Sequence, residues 1–384
     1  MKIVVALDSF KGSCSASQAC RAVSSGIKRV HPDTNIISCP ISDGGEGFIA
    51  TLEPILLHKG YHKHSLEVMG PYQDQVKANF LYHEHKKEAI VEMAQCSGLE
   101  LDVHHIFKGH QATTYGLGQL IDHVINLGAT SIKIGLGGSA TNDAGAGWAQ
   151  ALGAKFFDLQ GHLIKQPLCG ALLEHIGSVD TTLLDAKLQN ITIEGTCDVT
   201  NPLTGPKGAT YIFGPQKGVP HDNLAALDKT IQNFAKLMNE HYHQEQDQVP
   251  GSGAAGGMGA ALLWFAHAKL KRGIDVVMQT LELEQHIQDS DLVIVGEGRI
   301  DGQSIHGKAP VGVAYLAQQH QVPVIALCGS LGPDYEKLYD YGINALFAIS
   351  SGPMSLEESM ARAPELLTNI STNLMRTLSL AFKG

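Results

Sequence analysis

The residues Ile3-Val4-Val5-Ala6-Leu7 are apolar without a break and stop at Asp8. A run this short and this rich in β-branched side chains reads as a strand buried on both faces, and such strands belong to parallel sheets covered by helices. The next residues agree. Ser15 and Gln18 form a capping-box pattern that opens a helix running to about Val30, His31-Pro32-Asp33 closes it, and Asn35 to Cys39 is a second strand. This β-loop-α-β order begins a doubly wound sheet. The texture returns near the other end, with strands at Asp291–Val295, Val322–Cys328 and Ala345–Ser350, a helix at Val311–His320, and a mostly helical stretch from Ser355 to Phe382.

Between these parts the pattern changes. Val76–Tyr82 and Glu88–Met93 read as paired strands around the polar turn Glu84-His85-Lys86-Lys87. Thr113–Leu127 is an amphipathic helix stopped by Gly128, Ile132–Ile134 a strand running into glycine, Ile191–Glu194 a further strand, and Asn223–Tyr242 and Ala254–Leu270 helices. The expected architecture is α/β with two domains. Residues 1–70 and 285–384 form a Rossmann-like domain whose parallel sheet is built from both chain ends, and residues 71–284 form an inserted mixed α/β domain. A length of 384 residues also favours two domains over one.

Composition narrows the function classes. The net charge is −10 with no basic stripe, which argues against a nucleic-acid partner. Phosphate would then be held by a few local cations and backbone N–H groups. The longest apolar stretch, residues 253–268, is glycine-rich and too short for a membrane span. The seven cysteines contain no C-x-x-C pair and the amino terminus no signal peptide, so a reduced, cytoplasmic protein is expected. Glycine is in excess, 42 residues in all, and clusters in loops where backbone would approach a ligand closely.

Five loops carry the candidate chemistry, each leaving a strand or entering a helix. Asp8-Ser9-Phe10-Lys11-Gly12 sets a carboxylate and an amine after the first strand. Ser42-Asp43-Gly44-Gly45-Glu46-Gly47 precedes a helix and would offer N–H groups to an anion. Gly135 to Gly147, containing Gly137, Gly138, Ser139, Thr141, Asn142 and Asp143, could cradle phosphate oxygens and position a cation. Cys197-Asp198-Val199-Thr200-Asn201 places an aspartate at a strand end, followed by Lys207 and Lys217 held between glycines. The fifth loop, Gly296 to Ser304 with Gly307-Lys308, crowds Glu297, Arg299, Asp301 and Lys308 together. It is not a P-loop, because Ala309 stands where Ser or Thr is required. Gly251, Gly253 and Gly256 match G-x-G-x-x-G but follow no strand, so they are expected to let a helix pack closely or its start meet a ligand.

These segments, together with Glu92-Met93-Ala94, Ser97-Gly98, Thr113–Gly116 and Phe213–Gly218, resemble in content and order the class I glycerate kinases of bacteria, from residue 1 to about 330. The resemblance implies ATP as donor, Mg2+, a site in the cleft between two α/β domains, and conversion of D-glycerate to 2-phosphoglycerate, although some members have been described as making the 3-phospho product. The expected catalytic residues are Asp198 as the preferred base near the acceptor hydroxyl, with Asp8 and Asp301 as competitors, and Lys11 and Arg299 facing the substrate carboxylate and the moving phosphoryl group. Substrate and phosphate contacts are expected at Ser9, Asp43, Gly44, Gly45, Gly137, Gly138, Ser139, Asn142, Asp143, Asn201, Lys217, Glu297 and Lys308, and metal contacts at Asp301 and Asp198. A non-catalytic sugar-acid-binding regulator is the rival from another class, disfavoured by the many loop-end carboxylates. A nicotinamide dehydrogenase lacks a strand-anchored fingerprint. The sequence leaves monomer and homodimer open.

Overall fold

The computed structural model describes residues 1–42, 47–102, 108–305 and 309–381, the side chains of Gln303 and Ala381 excepted. In chain order its strands are β1 (Lys2–Leu7), β2 (Asn35–Ser38), β3 (His62–Met69), β4 (Gln75–His83), β5 (Glu88–Glu92), β6 (Ser131–Gly135), β7 (Lys155–Asp158), β8 (Ile176–Asp180), β9 (Thr192–Thr196), β10 (Lys269–Lys271), β11 (Leu292–Ile300), β12 (Val324–Leu331) and β13 (Ala345–Ala348). The chain divides into two compact units. The first is Met1–Asp43 with Ala50–Ile55 and Gly273–Gly384, and the second is Gly44–Ile49 with Leu56–Arg272. Among the described residues, no helix is long and apolar enough to cross a membrane.

The first unit holds a parallel sheet in the order β13-β12-β11-β1-β2. From β1 the chain winds outward to β2, and from β11 it winds the other way to β12 and β13, so the switch point lies between β1 and β11. Open α/β sheets bind ligands outside the carboxyl ends of their strands at such a point. Helix Ala16–Lys28 begins with the expected box, Ser15 Oγ accepting from Gln18 N and the Gln18 side chain accepting from Ser15 N. It buries Ala19, Val23 and Ile27 and is tied to helix Ala363–Ala381, where Thr368 Oγ1 donates to Ala22 O at 3.0 Å and Thr372 Oγ1 to Gly26 O at 3.3 Å.

β11 corrects the sequence reading, which ended this strand at Val295 and treated Gly296–Asp301 as loop. The strand continues to Ile300, with Arg299 opposite Ser330 and Ile300 opposite Leu331. Glycine at 296 lets the neighbour approach, since a Cβ there would stand 2.2 Å from Leu327 O. The strand period then sets Glu297 and Arg299 toward one face, with Asp301 just past the strand end.

The second unit holds a six-stranded sheet in the order β10-β9-β6-β5-β4-β3, parallel from β10 to β5 and antiparallel from β5 to β3. β3 is a strand that the sequence reading passed over, and it pairs with β4 from His62–Tyr82 to Met69–Gln75. The pair β7 and β8 lies outside this sheet. The core gathers Phe80, Trp148, Phe156, Phe234, Trp264 and Phe265, each at most 2% exposed. The helix expected over Ala254–Leu270 is shorter. Ala255, Gly256 and Gly257 are left-handed, His267 ends the helix in the same conformation, and Leu270 belongs to β10.

Candidate active site

In the first unit, Asp8 and Glu297 stand side by side where β1 ends against β11, since Leu7 pairs with Gly296 and Asp8 N donates to Gly296 O at 2.8 Å. Asp8 Oδ1 accepts from Ser9 N at 2.5 Å, which turns the chain sharply into Phe10 and Lys11. Asp8, Ser9, Lys11, Glu297 and Arg299 line one cavity of about 540 Å3 at the switch point. Lys11 and Arg299 are exposed, with Asp8 and Glu297 half-buried. Asp301 lies just beyond. Its carboxylate meets Arg299 Nε at 3.2 Å and its N–H donates to Ser304 Oγ, which in turn donates to Glu297 Oε1 at 3.1 Å. Ser304, fully buried, thus links the Glu297 carboxylate to the backbone of Asp301 within the segment that the sequence crowds with charge. Lys308 lies outside the described residues.

The second unit builds a different kind of surface at the carboxyl ends of β5, β6 and β9. Asp143 is completely buried, and its carboxylate accepts from Thr114 N, Thr114 Oγ1, Gly145 N and Gly147 N. Burial pushes its pKa up while those donors oppose the rise. With its oxygens so engaged, Asp143 shapes the glycine loop from within. Lys217 comes up beneath the same loop from the short 3-10 turn Pro215–Lys217, and its Nζ donates to Ser139 Oγ and Thr141 O, both at 2.8 Å. Burial lowers its pKa to about 7, with Asp143 working against the shift. Asn142 donates to Thr210 Oγ1 at 3.1 Å, while Asn142 Oδ1 and Thr141 Oγ1 are buried with no hydrogen-bond partner among the described residues. Gly137 and Gly138 are half-buried at the start of this loop.

Asp198 is exposed two residues past the end of β9. Asn201 of the same loop has its amide engaged with Lys207 O at 2.8 Å. The glycine motif at 251–257 holds the two loops together. A Cβ on Gly253 would stand 2.1 Å from Pro202 O, and one on Gly256 1.9 Å from Thr141 O, while Gly256 O accepts from Ala144 N at 3.0 Å. Close backbone packing is therefore what these glycines provide.

At the amino end of helix Phe48–Leu56 the expectation of open N–H groups meets a side chain already in place. Glu92, 2% exposed at the end of β5, accepts from Gly47 N at 2.7 Å and Ile49 N at 3.1 Å. Burial raises its pKa against the pull of these donors. The first turn is thus capped from within the protein, a role that sequence reasoning missed although a carboxylate ending a buried apolar strand was its signal. Asp43, Gly44 and Gly45 lie outside the described residues.

The sequence profile of the glycerate kinase family matches residues 3–379. The chain belongs to this family. It is similar to the "Glycerate 2-kinase" of Escherichia coli K12, with 43% identity over 384 residues and all of both chains covered. It is also similar to the "Glycerate kinase" of Bacillus subtilis 168, with 42% identity over 99% of this chain and 98% of the relative. Among solved structures, one from Salmonella typhimurium LT2, provisionally named glycerate kinase 2, matches with TM-score 0.87 and 41% identity across the whole of both chains. As a kinase of this family, the protein takes ATP as co-substrate.

Proposed function

We propose that the protein transfers the γ-phosphoryl group of ATP to the 2-hydroxyl of D-glycerate, releasing ADP. The observation that carries this reading is the cavity at the β1–β11 switch point, where Asp8, Glu297, Lys11 and Arg299 converge. Phosphoryl transfer asks a protein for positioning and for charge stabilisation around the moving group, and this set supplies both signs. The name of the E. coli relative supports the 2-position.

In the proposed step the glycerate hydroxyl oxygen bonds to the γ-phosphorus as the bond to the β-phosphate oxygen breaks, and Asp198 accepts the hydroxyl proton. Lys11 and Arg299 neutralise the substrate carboxylate and the transferred group, with Asp8 and Ser9 ordering the turn beside them. Gly137, Gly138 and Ser139 present the loop that Asp143, Asn142 and Lys217 hold in shape, and Asn201 fixes the turn that follows Asp198. Asp43, Gly44, Gly45 and Lys308 remain proposed substrate contacts on sequence grounds.

Among the described residues no three His, Cys, Asp or Glu side chains gather into a metal site. Mg2+ bound with a nucleotide needs no such cage, because it takes one or two carboxylates with phosphate oxygens and water. Asp301 and Asp198 are the proposed carboxylates, and Glu297, linked to Asp301 through Ser304, suits the same donor chemistry. When bound, Mg2+ neutralises charge on the phosphate oxygens. Seven free thiols fit a cytoplasmic setting.

The test is ADP formation that depends on D-glycerate, followed by proton-coupled ³¹P NMR of the product. A phosphate on the 2-oxygen couples to one proton and gives a doublet. A triplet would mean the 3-phospho product, and tight glycerate binding without ADP formation would mean a regulator.

A further inference from the structure

The cavity at the switch point is larger and more apolar than its charged rim suggests. Its volume of about 540 Å3 falls within the roughly 300–1,000 Å3 of sites for drug-sized ligands. A three-carbon acid bristling with oxygens would leave most of it empty. Away from Asp8, Lys11, Glu297 and Arg299 the lining changes to Phe10, Ile349, Leu356, Met360 and Ala363. Four of these come from the carboxyl-terminal region, to which the sequence motifs assigned no part.

We propose that this apolar half is the slot for the nucleobase of the nucleotide, with the phosphates directed toward Lys11 and Arg299. The inference rests on the reading above that ATP is the donor. A heterocyclic base is flat, with two apolar faces, and is joined to a polyanion, so it matches a cavity that is apolar at one end and cationic at the other. Leu356 is 75% exposed, apolar surface that a base at the cavity wall would cover. The Met360 thioether suits an aromatic face.

The wall is also built to hold its shape. Ser13 Oγ donates to Met360 O, which ties the loop after β1 to helix Leu356–Ala361. The Met360 methyl lies against the backbone at Gly12, 2.7 Å from where a Cβ would stand. Ser355 Oγ caps the helix by accepting from Glu358 N at 3.1 Å. Arg362 then clamps this helix to the next one, meeting Glu358 Oε1 at 2.8 Å and both carboxylate oxygens of Glu365 at 2.9 and 3.0 Å. A forked guanidinium–carboxylate pair of this kind fixes geometry as well as charge. A wall held in place before binding loses little freedom when a ligand arrives.

The experiment compares wild type with Leu356→Glu and Met360→Trp, measuring ADP and inorganic tripolyphosphate binding by calorimetry together with the KM for ATP and for D-glycerate. Both variants are expected to weaken ADP binding and raise the ATP KM by about tenfold or more, leaving tripolyphosphate binding and the glycerate KM within about twofold. Leu356 is exposed, so its replacement keeps the test valid if Met360→Trp fails to fold, and urea midpoints identify that case. Unchanged ADP binding in a folded Leu356→Glu variant, or a rise confined to the glycerate KM, would overturn the slot. Wild-type protein that binds ADP yet makes none from ATP and D-glycerate would refute the kinase reading while leaving the slot standing.

Discussion

The two units meet the demands of anion chemistry in opposite ways. In the first unit the candidate groups are side chains at a cavity, with Lys11 and Arg299 in contact with solvent. In the second, the glycine loop is held from below by buried groups. Asp143 is 0% and Lys217 3% exposed, and their polar atoms are directed into the loop's own backbone and hydroxyls. The contrast teaches that residue type alone, an aspartate or lysine beside glycines, does not distinguish a group that touches a ligand from one that shapes the surface a ligand touches. Burial does, because a buried carboxylate needs internal donors to persist.

The sharpest way to break the contrast is to disturb the buried side. Gly256→Val places a β-branched side chain at φ +69° with its Cβ 1.9 Å from Thr141 O. A loss of about 3 kcal/mol or more, or insoluble protein, is expected from urea denaturation. Asp143→Ala leaves four donors without their acceptor and belongs in the same range. The exposed side should behave in reverse. Lys11→Ala and Arg299→Ala are expected to lower kcat by about 10²–10³, with stability within about 0.5 kcal/mol of wild type.

Lys217 gives a smaller, pH-dependent effect. Its folded pKa is about 7, below the ordinary amine value, so above that pH the unfolded chain binds a proton that the folded chain releases. Stability therefore gains a rising component with pH from near 7 up to the unfolded amine pKa, by at most about 1.4 kcal/mol per pH unit. Below pH 7 both states are protonated and the component vanishes. Lys217→Met should remove this slope in urea midpoints taken across the window. The smallest effect concerns the donor. In the apolar half of the first unit's cavity, the described lining offers a base edge serine hydroxyls such as Ser330 and Ser359 and no amide side chain. GTP should then support turnover with kcat/KM within about tenfold of ATP, since strong discrimination needs buried groups that one base satisfies and the other does not.

Much of the first unit was legible because β1 and the helix after it carry local signals: a continuous apolar run, a capping box, a proline stop. β3 carried none. His62-Lys63-His64-Ser65-Leu66-Glu67 is polar and largely exposed, and it becomes a strand through its register with β4. The end of β11 was misread for a related reason, since glycine and charge signal a loop locally while pairing with β12 carries the strand on to Ile300. The candidate loops were found because glycine clusters mark close approach. Which of those approaches serve a ligand and which serve packing, as at Gly253 and Gly256, depends on neighbours distant in sequence. Glu92 and the Leu356–Met360 wall went unrecognised for the same reason: each acquires its role from a partner, Gly47 or Ser13, that no local pattern names.

In this protein the exposed side chains are assigned the chemistry, while the buried set maintains the surface. Asp198→Asn tests this division most directly, because this change keeps the side chain's size and removes its basicity. The account predicts a kcat for D-glycerate and ATP reduced by about 10²-fold or more, with an unaltered urea midpoint. Turnover near the wild-type value in that folded variant would contradict it.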